Sequence, residues 1–283
     1  MTLPADTHVH SEYSWDTGGP DSPAAGTMER TCARAARIGL SAVVFTEHLD
    51  FVGWQVDPTD LAGHLQRLVG PDQTLVPPPL EVDGYLESIE RCRRSFRDLR
   101  ILTGVEFGQP HLDEEVASHV LDVSKLDRVN GSLHTLVVDG RRHEPPTLYG
   151  MWPADKVIWE YLAEVPRMVD GSDAFEVLTH IDYAVRYWPR EVNGPFEPRR
   201  FEDGFRQAMR ALAGSGRALE MNVGGQLRPW IPQWWSEEGG RAITFGSDAH
   251  EPRALANNFP EAVAMVEHFG FRPGRRPADV WTR

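Results

Sequence analysis

Histidine and carboxylate residues recur directly after short apolar runs in this sequence. His8 and His10 follow the run that begins at Leu3, and Asp248 and His250 follow the apolar run 242–245. Within each pair the two residues are two positions apart, so in extended backbone their side chains point to the same side. Imidazole and carboxylate groups are typical ligands of zinc, manganese and iron. The first and last runs therefore predict one shared metal site.

Residues of the same kind lie at or near the ends of the apolar runs between these two pairs. Together with an aspartate on the first loop they complete a set of nine candidate metal ligands: His8, His10, Asp16, His48, Glu106, His134, His180, Asp248 and His250. One tetrahedral ion needs about four ligands. The set therefore predicts two or three divalent ions, Zn, Mn or Fe, with a carboxylate such as Glu106 bridging two of them.

Each of these residues has an ordinary structural explanation when it is taken alone. A single His-X-His or Asp-X-His is as often a polar pair at a strand end as a metal site. Glu106 lies in an apolar run and needs a partner because burying a free carboxylate is costly, but an arginine would serve as well as a metal. The ordered recurrence along the chain favours the metal site. Five histidines lie away from the runs and are predicted on the surface: His64, His111, His119, His143 and His268.

The charge of such a centre indicates the substrate. Two or three divalent ions carry more positive charge than the carboxylates Asp16, Glu106 and Asp248 cancel, so a phosphate monoester dianion would suit the site. Ions of this kind make hydroxide available near neutral pH. Asp16, Glu106, Asp248 and His250 are predicted as the catalytic residues, and the proton donor for the leaving group stays open between His250, Asp16 and a metal-bound water.

Two arginines are candidates for holding the phosphate group. Arg186 lies on the predicted loop 181–198, and Arg228 follows the strand predicted at 218–223. Guanidinium pairs well with phosphate oxygens. An ordinary surface or ion-paired arginine is the alternative for both.

The elements that must position these residues alternate between strands and helices. Buried strands are predicted at 3–7, 41–46, 101–107, 128–136, 174–180, 218–223 and 242–245. Helices are predicted at 27–38, 83–99, 114–124, 152–167, 200–213 and 260–269. This alternation is typical of parallel strands with helical crossovers. In a closed α/β barrel all carboxyl ends of the strands open on one face, where active sites lie.

Three segments do not follow the alternation. The loop 11–25 carries Asp16, and the segment 49–82 is rich in proline with a short helix predicted at 60–68. A long connection at a barrel mouth is often a lid or a specificity loop, and a surface excursion is the alternative. Trp230, Trp234 and Trp235 form a cluster that would line either the pocket or a subunit contact.

The composition excludes several classes of protein. The chain has 283 residues and a net charge of −13, so broad binding to nucleic acid is not expected because phosphate backbones require clustered Lys and Arg. No apolar run approaches the ~20 residues of a membrane span, and no signal peptide is evident. Cys32 and Cys92 indicate no disulfide framework, which fits a reducing cytoplasm. We expect one cytoplasmic domain spanning 1–283. The sequence leaves its oligomeric state undetermined.

Eight of the nine candidate ligands lie in an ordered series of motifs, and Asp16 lies between the first two motifs. The motifs are Asp-Thr-His-Val-His-Ser from Asp6, Thr-Glu-His to His48, Gly-Val-Glu-Phe around Glu106, Gly-Ser-Leu-His to His134, Thr-His-Ile-Asp from Thr179, Leu-Glu-Met-Asn to Asn222 and Gly-Ser-Asp-Ala-His to His250. The series, from about residue 3 to residue 255, resembles the PHP (polymerase and histidinol phosphatase) superfamily. Within it the chain is most similar to the histidinol-phosphate phosphatases.

The resemblance implies a distorted (β/α)7 TIM-like barrel with a trinuclear metal centre. It implies one ion held by His8, His10, Glu106 and Asp248, a second by Glu106, His134 and His180, and a third by Asp16, His48 and His250. The segment that ends at Arg186 resembles the one that supplies a phosphate-binding arginine. At Asn222 the chain departs from the usual Asn-Thr-Ser-Gly-Leu-Arg, because Val223 and Gly224 replace the Thr-Ser pair and Arg228 comes later.

The activity implied is metal-dependent hydrolysis of L-histidinol phosphate to L-histidinol and phosphate, in histidine biosynthesis. The departure at Val223 and Gly224 keeps a phosphoesterase acting on another small phosphate ester as an alternative. A hydrolase of the amidohydrolase type is less favoured, because no metal-bridging lysine is evident after a middle strand. A non-catalytic metal-binding PHP module is a third possibility, disfavoured because all nine ligand positions are present.

Overall fold

A computed structural model describes residues 3–18 and 27–283 of the chain. Of the predicted loop 11–25, the part from 19 onward lies outside the described residues. Within the described ranges the strands are β1 Asp6–Val9, β2 Ala42–Leu49, β3 Trp54–Gln55, β4 Thr74–Leu75, β5 Arg100–Gly108, β6 Arg128–Ser132, β7 Leu136–Val138, β8 Arg141–His143, β9 Val177–Leu178, β10 Ala218–Asn222, β11 Ala242–Gly246 and β12 Trp281–Thr282. The α-helices there are α1 Met28–Ile38, α2 Val82–Ser95, α3 Pro110–Ser118, α4 Pro145–Met151, α5 Ala154–Gly171, α6 Tyr183–Arg186, α7 Arg190–Asn193, α8 Glu202–Gly214, α9 Trp230–Glu237 and α10 Phe259–His268.

Seven strands form a curled parallel sheet in the order β1, β2, β5, β6, β9, β10, β11, and β12 adds antiparallel to β11. The sheet closes where β1 meets the residues after β11. There Val9 forms an isolated bridge with Ala249, and the backbone N of Asp248 donates to the carbonyl of His8 at 2.8 Å. Pairing around the barrel is uneven, since β2 and β5 pair over eight residues and β9 contributes only two. The prediction of a distorted (β/α)7 barrel is confirmed.

The helices cover the outside of the barrel with apolar faces. α1 begins where the hydroxyl of Thr27 caps the backbone N of Arg30, and it ends at Gly39, whose φ of 77° is left-handed, as the sequence predicts. On α2, buried Tyr85 donates its hydroxyl to the carbonyl of Phe45 at 2.9 Å and accepts from the N of Gly104 at 2.8 Å. The buried Tyr85 side chain thus links the helix to the strands beneath it.

A second sheet lies in the connections at the barrel mouth, and the sequence does not predict it. Its strand order is β4, β3, β8, β7, so the segment 49–82 pairs with the chain that follows β6. The predicted helix 60–68 is wrong, because only short 3-10 turns occur at Pro58–Asp60 and Gln66–Leu68. Two-residue strands such as β3 carry too few positions for an alternating pattern to reveal them.

Several predicted boundaries are corrected. β6 ends at Ser132 and the chain turns before β7 starts at Leu136, so the strand predicted at 128–136 is broken. The helix predicted at 114–124 is α3, which starts at Pro110 because proline suits the first turn of a helix. The strand predicted at 174–180 is reduced to β9, and the helix predicted at 83–99 ends at Ser95.

Two predictions about side-chain location are also corrected. The tryptophan cluster is helix α9, whose Trp234 and Trp235 are buried in the core. His143 is buried in β8 and therefore does not lie on the surface. In the part of the chain that the structure describes, no helix is both long and apolar enough to span a membrane.

Candidate metal centre

The carboxyl ends of the barrel strands deliver the nine predicted ligands to one place. β1 carries His8, β2 carries His48 and β5 carries Glu106, each near the carboxyl end of its strand. His180 follows β9, and Asp248 follows β11 with a left-handed φ of 55°, a conformation that Asp adopts more readily than most residues. The parallel arrangement of the strands therefore accounts for the convergence.

The first cluster contains His8, His10, Glu106 and Asp248, whose ligand atoms lie within 4.8 Å of one another. The Nε2 atoms of His8 and His10 are 3.1 and 3.3 Å from Glu106 Oε2. Asp248 Oδ1 is 3.3 Å from His10 Nε2. Two imidazoles and two carboxylates facing one point form a suitable set of ligands for one ion.

The second cluster contains Glu106, His134 and His180. His134 Nε2 and His180 Nε2 are 3.0 and 2.7 Å from Glu106 Oε1. The Oε2 atom of the same carboxylate faces the first cluster, so Glu106 can bridge two ions. This is the role that the sequence predicts for it.

The remaining three predicted ligands lie on the solvent side of the first cluster. Asp16 Oδ2 is 2.6 Å from His250 Nε2 and 3.4 Å from His48 Nε2. His48 and His250 also group with His10 as possible ligands, and their rings stack on that of His10 with centroids 4.4 and 4.2 Å away. The structure thus brings all nine residues together in three adjoining sets.

Unpaired polar atoms show that these residues fit metal ions. His8 Nε2, His10 Nε2 and Glu106 Oε2 are buried without any hydrogen-bond partner, as are His250 Nε2 and Asp16 Oδ1. The short distances between these imidazole nitrogens and carboxylate oxygens lack the geometry of hydrogen bonds. Buried polar atoms are rarely left unpaired because desolvation is costly, whereas divalent cations at the adjoining sets would satisfy these atoms. The histidine and carboxylate clusters could therefore bind metals.

The charges of the centre are strongly coupled. Burial alone would raise the pKa of Glu106, but the neighbouring imidazoles, above all His8 and His134, hold it well below its ordinary value. Burial would lower the pKa of His8, yet the carboxylates of Glu220, Glu106 and Asp248 raise it well above 6.5. In contrast, burial lowers the pKa of His180. A metal must displace the proton from a histidine whose pKa is raised, such as His8, so metal binding there weakens as the pH falls.

Residues that the sequence did not predict orient the ligands by contacting the ring nitrogens that face away from the clusters. Glu220 Oε2 is 2.8 Å from His8 Nδ1, which leaves His8 Nε2 free to face the cluster. His10 Nδ1 is 2.9 Å from Ser14 Oγ, and that hydroxyl donates to Glu47 Oε2 at 2.7 Å. Glu220 stands in the Leu-Glu-Met-Asn motif and Glu47 directly precedes His48. These positions were the features of the sequence that could have indicated a role beside the ligands.

A cavity of about 240 Å³ opens above the clusters. Its lining includes Trp54, Leu61, Leu65 and Leu75 from the segment 49–82. That segment therefore walls the cavity, as a specificity loop would, and is not a remote surface excursion.

Arg186 and Glu144 bring opposite charges to this cavity. Arg186 Nη1 donates to Asp248 Oδ2 at 3.0 Å, and its Nη2 is buried without a partner. Burial raises the pKa of Glu144 to about 7. Arg228 is not among the residues that line the cavity; its Nε donates to Asp182 Oδ2 at 2.6 Å. Its phosphate-binding role stays a prediction.

Fold and site together define a class: a seven-stranded α/β barrel with a histidine- and carboxylate-rich centre at the carboxyl ends of its strands. The model of the PHP domain family matches residues 6–224, about three quarters of the chain. The chain therefore belongs to the PHP domain family.

Similar proteins cover almost the whole chain. The histidinol-phosphatase of Lactococcus lactis subsp. lactis is 26% identical over 274 residues, covering 94% of this chain and 91% of that protein. A probable histidinol-phosphatase of Clostridium acetobutylicum is 24% identical and covers 95% of this chain and 94% of its own length. The crystal structure of the Lactococcus lactis histidinol phosphate phosphatase, complexed with Zn, L-histidinol and phosphate, matches with a TM-score of 0.74 at 22% identity over 99% of both chains. This likeness supports the barrel fold.

Proposed function

We propose that this protein is a metal-dependent phosphate monoester hydrolase that converts L-histidinol phosphate and water to L-histidinol and phosphate. The observation that carries the proposal is the cavity itself. It joins the nine-residue centre to Arg186, which has a free buried donor for a phosphate oxygen, and to Glu144, which can bind an amine. Relatives of similar length bear the name histidinol-phosphatase.

The centre would hold two or three divalent ions, Zn, Mn or Fe. His8, His10, Glu106 and Asp248 would hold one, and Glu106, His134 and His180 a second. Asp16, His48 and His250 would hold a third, since they meet at Asp16 Oδ2. When bound, the ions supply Lewis acidity and a nucleophile at neutral pH.

The chain supplies orientation and charge around the phosphate group. Arg186 is held by Asp248 through one nitrogen, and its second terminal nitrogen can donate to a phosphoryl oxygen and stabilise charge that develops there. Asp16 and His250 line the cavity, and either would hold a proton for the leaving alkoxide only while it is not ligating the third ion. Glu106 and Asp248 serve catalysis as ligands.

The rest of the cavity suits the alcohol part of this substrate. Glu144 lines the cavity together with Trp54 and, once ionised, would pair with an ammonium group. The aromatic rings of Trp15, Tyr183 and Tyr187 also line the cavity, and such rings stack well on an imidazole. A small cationic amino alcohol therefore matches the walls, despite the acidic net charge of the chain.

A phosphoesterase acting on another small ester is the second candidate, and it rests on the departure at Val223 and Gly224. Val223 is buried and neither residue lines the cavity. A Cβ at Gly224 would lie 2.6 Å from the carbonyl O of Ser247 and 3.4 Å from Cβ of Asp248. The departure thus fits close packing against the Asp248 segment, and it weakens the case for a different substrate.

The decisive experiment measures phosphate release from L-histidinol phosphate by protein purified without chelator, with Mn²⁺, Zn²⁺ and Fe²⁺ added back in turn. We expect kcat/KM well above that on a generic aryl phosphate, and loss of turnover with chelator. Equal, weak rates on both substrates would favour the second candidate. Bound metal with no turnover on any phosphate ester would support a non-catalytic module. A single cytoplasmic domain, as expected from the sequence, is part of this proposal.

A further inference from the structure

Asp50 is a buried carboxylate beside the centre that is outside the nine predicted ligands. It follows β2 and is 7% exposed, and its Oδ1 has no hydrogen-bond partner. In extended backbone it lies on the same side as His48, two residues earlier. A buried carboxylate with an unpaired oxygen requires a compensating role.

Three segments of the chain meet at this carboxylate. Trp15 Nε1 donates to Asp50 Oδ2 at 3.0 Å, and Trp15 immediately precedes Asp16 on the loop after β1. His48 Nδ1, at the end of β2, is 3.6 Å from Asp50 Oδ2. His134 Nδ1, in the turn after β6, is 3.7 Å from Asp50 Oδ1.

The two histidines turn their other nitrogens toward different metal sets. His48 Nε2 faces Asp16 in the third set, and His134 Nε2 faces Glu106 in the second. His48 Nδ1 is also 3.2 Å from Glu106 Oε2. When Glu106 ligates metal, Asp50 is the carboxylate that remains for His48 Nδ1.

The backbone leaves room for this carboxylate at one place. A Cβ at Gly108, the last residue of β5, would lie 1.9 Å from Asp50 Oδ1 and 3.5 Å from His134 Nδ1. A side chain at this position would displace Asp50 from between the two histidines. A substitution at Gly108 therefore perturbs the same contact without changing Asp50 itself.

We propose that Asp50 is a positioning residue that orients His48 and His134 together, so that one carboxylate supports the second and third metal sets and leaves the first unaffected. A carboxylate at Nδ1 fixes the tautomer and ring orientation of a ligating histidine. Glu220 has the corresponding role for His8 in the first set through a hydrogen bond, whereas Asp50 acts on His48 and His134 through ion-pair contacts of 3.6 and 3.7 Å. This inference rests on the proposed metal centre.

The test measures Mn²⁺ binding by titration and bound metal by elemental analysis, in the wild type and in Asp50→Asn, Gly108→Ala and Glu220→Gln. Loss of such supporting carboxylates typically weakens metal binding by about 10- to 100-fold. We expect Asp50→Asn and Gly108→Ala to weaken the same Mn²⁺ steps, and Glu220→Gln to weaken a different step. The Asp50→Asn, Glu220→Gln double variant should then show both losses. Circular dichroism of each variant checks that it is folded.

Two outcomes would overturn the assignment of Asp50 alone. One is Mn²⁺ binding by Asp50→Asn that equals the wild type. The other is loss of the same steps in Asp50→Asn and Glu220→Gln, since a general structural role would produce no selectivity. A wild type that binds neither Mn²⁺ nor Zn²⁺ would overturn the metal centre and this assignment together. Absence of turnover on L-histidinol phosphate, with the binding pattern intact, would overturn the proposed function and leave the role of Asp50 supported.

Discussion

Replacing Glu144 by glutamine tests how the cavity recognises the alcohol part of its substrate. The change keeps the size of the side chain and removes its charge. A hydrogen bond to a charged group contributes about 1.5–3 kcal/mol, which corresponds to about 10- to 150-fold in kcat/KM. We expect a loss of that size on L-histidinol phosphate, because the ionised carboxylate of Glu144 would pair with its ammonium group.

The matched substrate is the same phosphate ester without the amino group. Wild type and Glu144→Gln should hydrolyse that analogue with nearly equal kcat/KM, because neither makes an ion pair with it. Arg186→Lys is the control variant. It keeps the positive charge but loses the guanidinium geometry that suits phosphate oxygens, so it should slow both substrates.

The pH dependence gives a second readout of the same residue. Burial raises the pKa of Glu144 to about 7, and bound cations would lower it from there. Because the carboxylate is ionised above its pKa, wild-type kcat/KM on L-histidinol phosphate should rise with pH up to about 7. Glu144→Gln should lack the part of this rise that depends on the amine. Equal losses on the amino substrate and on its analogue would refute the assignment of Glu144 to the amine.

Three further measurements follow from the structure. His180→Ala should lower the bound metal by about one ion, measured by elemental analysis, because His180 belongs to the second cluster alone; unchanged content would remove it from the ligand set. Trp235→Ala should reduce the free energy of unfolding by about 3–5 kcal/mol, because the side chain is fully buried. Trp159 is 40% exposed, so Trp159→Ala should reduce the free energy of unfolding by less in the same denaturant titration. Cys32 and Cys92 are free and buried, so a thiol reagent should modify them only after denaturant is added, and fast modification of the native protein would contradict their burial.

The convergence of the candidate metal ligands could be predicted from sequence because metal chemistry restricts residue type and the barrel restricts position. His8, Glu106 and Asp248 each stand at the end of a buried apolar run, and parallel strands bring such ends together. The long strands β2 and β5 could also be predicted close to their observed bounds, since six to eight successive buried residues give a clear signal.

The supporting residues could not be predicted because their roles depend on distant neighbours. Glu220 contacts His8 from 212 residues away, and its place in the Leu-Glu-Met-Asn motif does not indicate which ligand it contacts. Glu144 lines the cavity only because β7 and β8 fold back over the mouth, next to the two-residue strand β3. Short strands have no measurable periodicity, so the second sheet, and the wall that it builds, becomes visible only in the structure.

The seam between β1 and the end of β11 has a consequence for how the protein folds. Ser247 N donates to Asp6 Oδ1 across 241 residues of chain, so the entropy of closing this loop opposes the contact by about 5 kcal/mol. His8 and Asp248 stand on opposite sides of the seam, yet they belong to one cluster. During synthesis Asp248 is made long after His8, and the first cluster cannot assemble before the ring of strands is complete. Metal bound in that cluster would therefore report that the chain has closed on itself, so that metal content would measure completed folding.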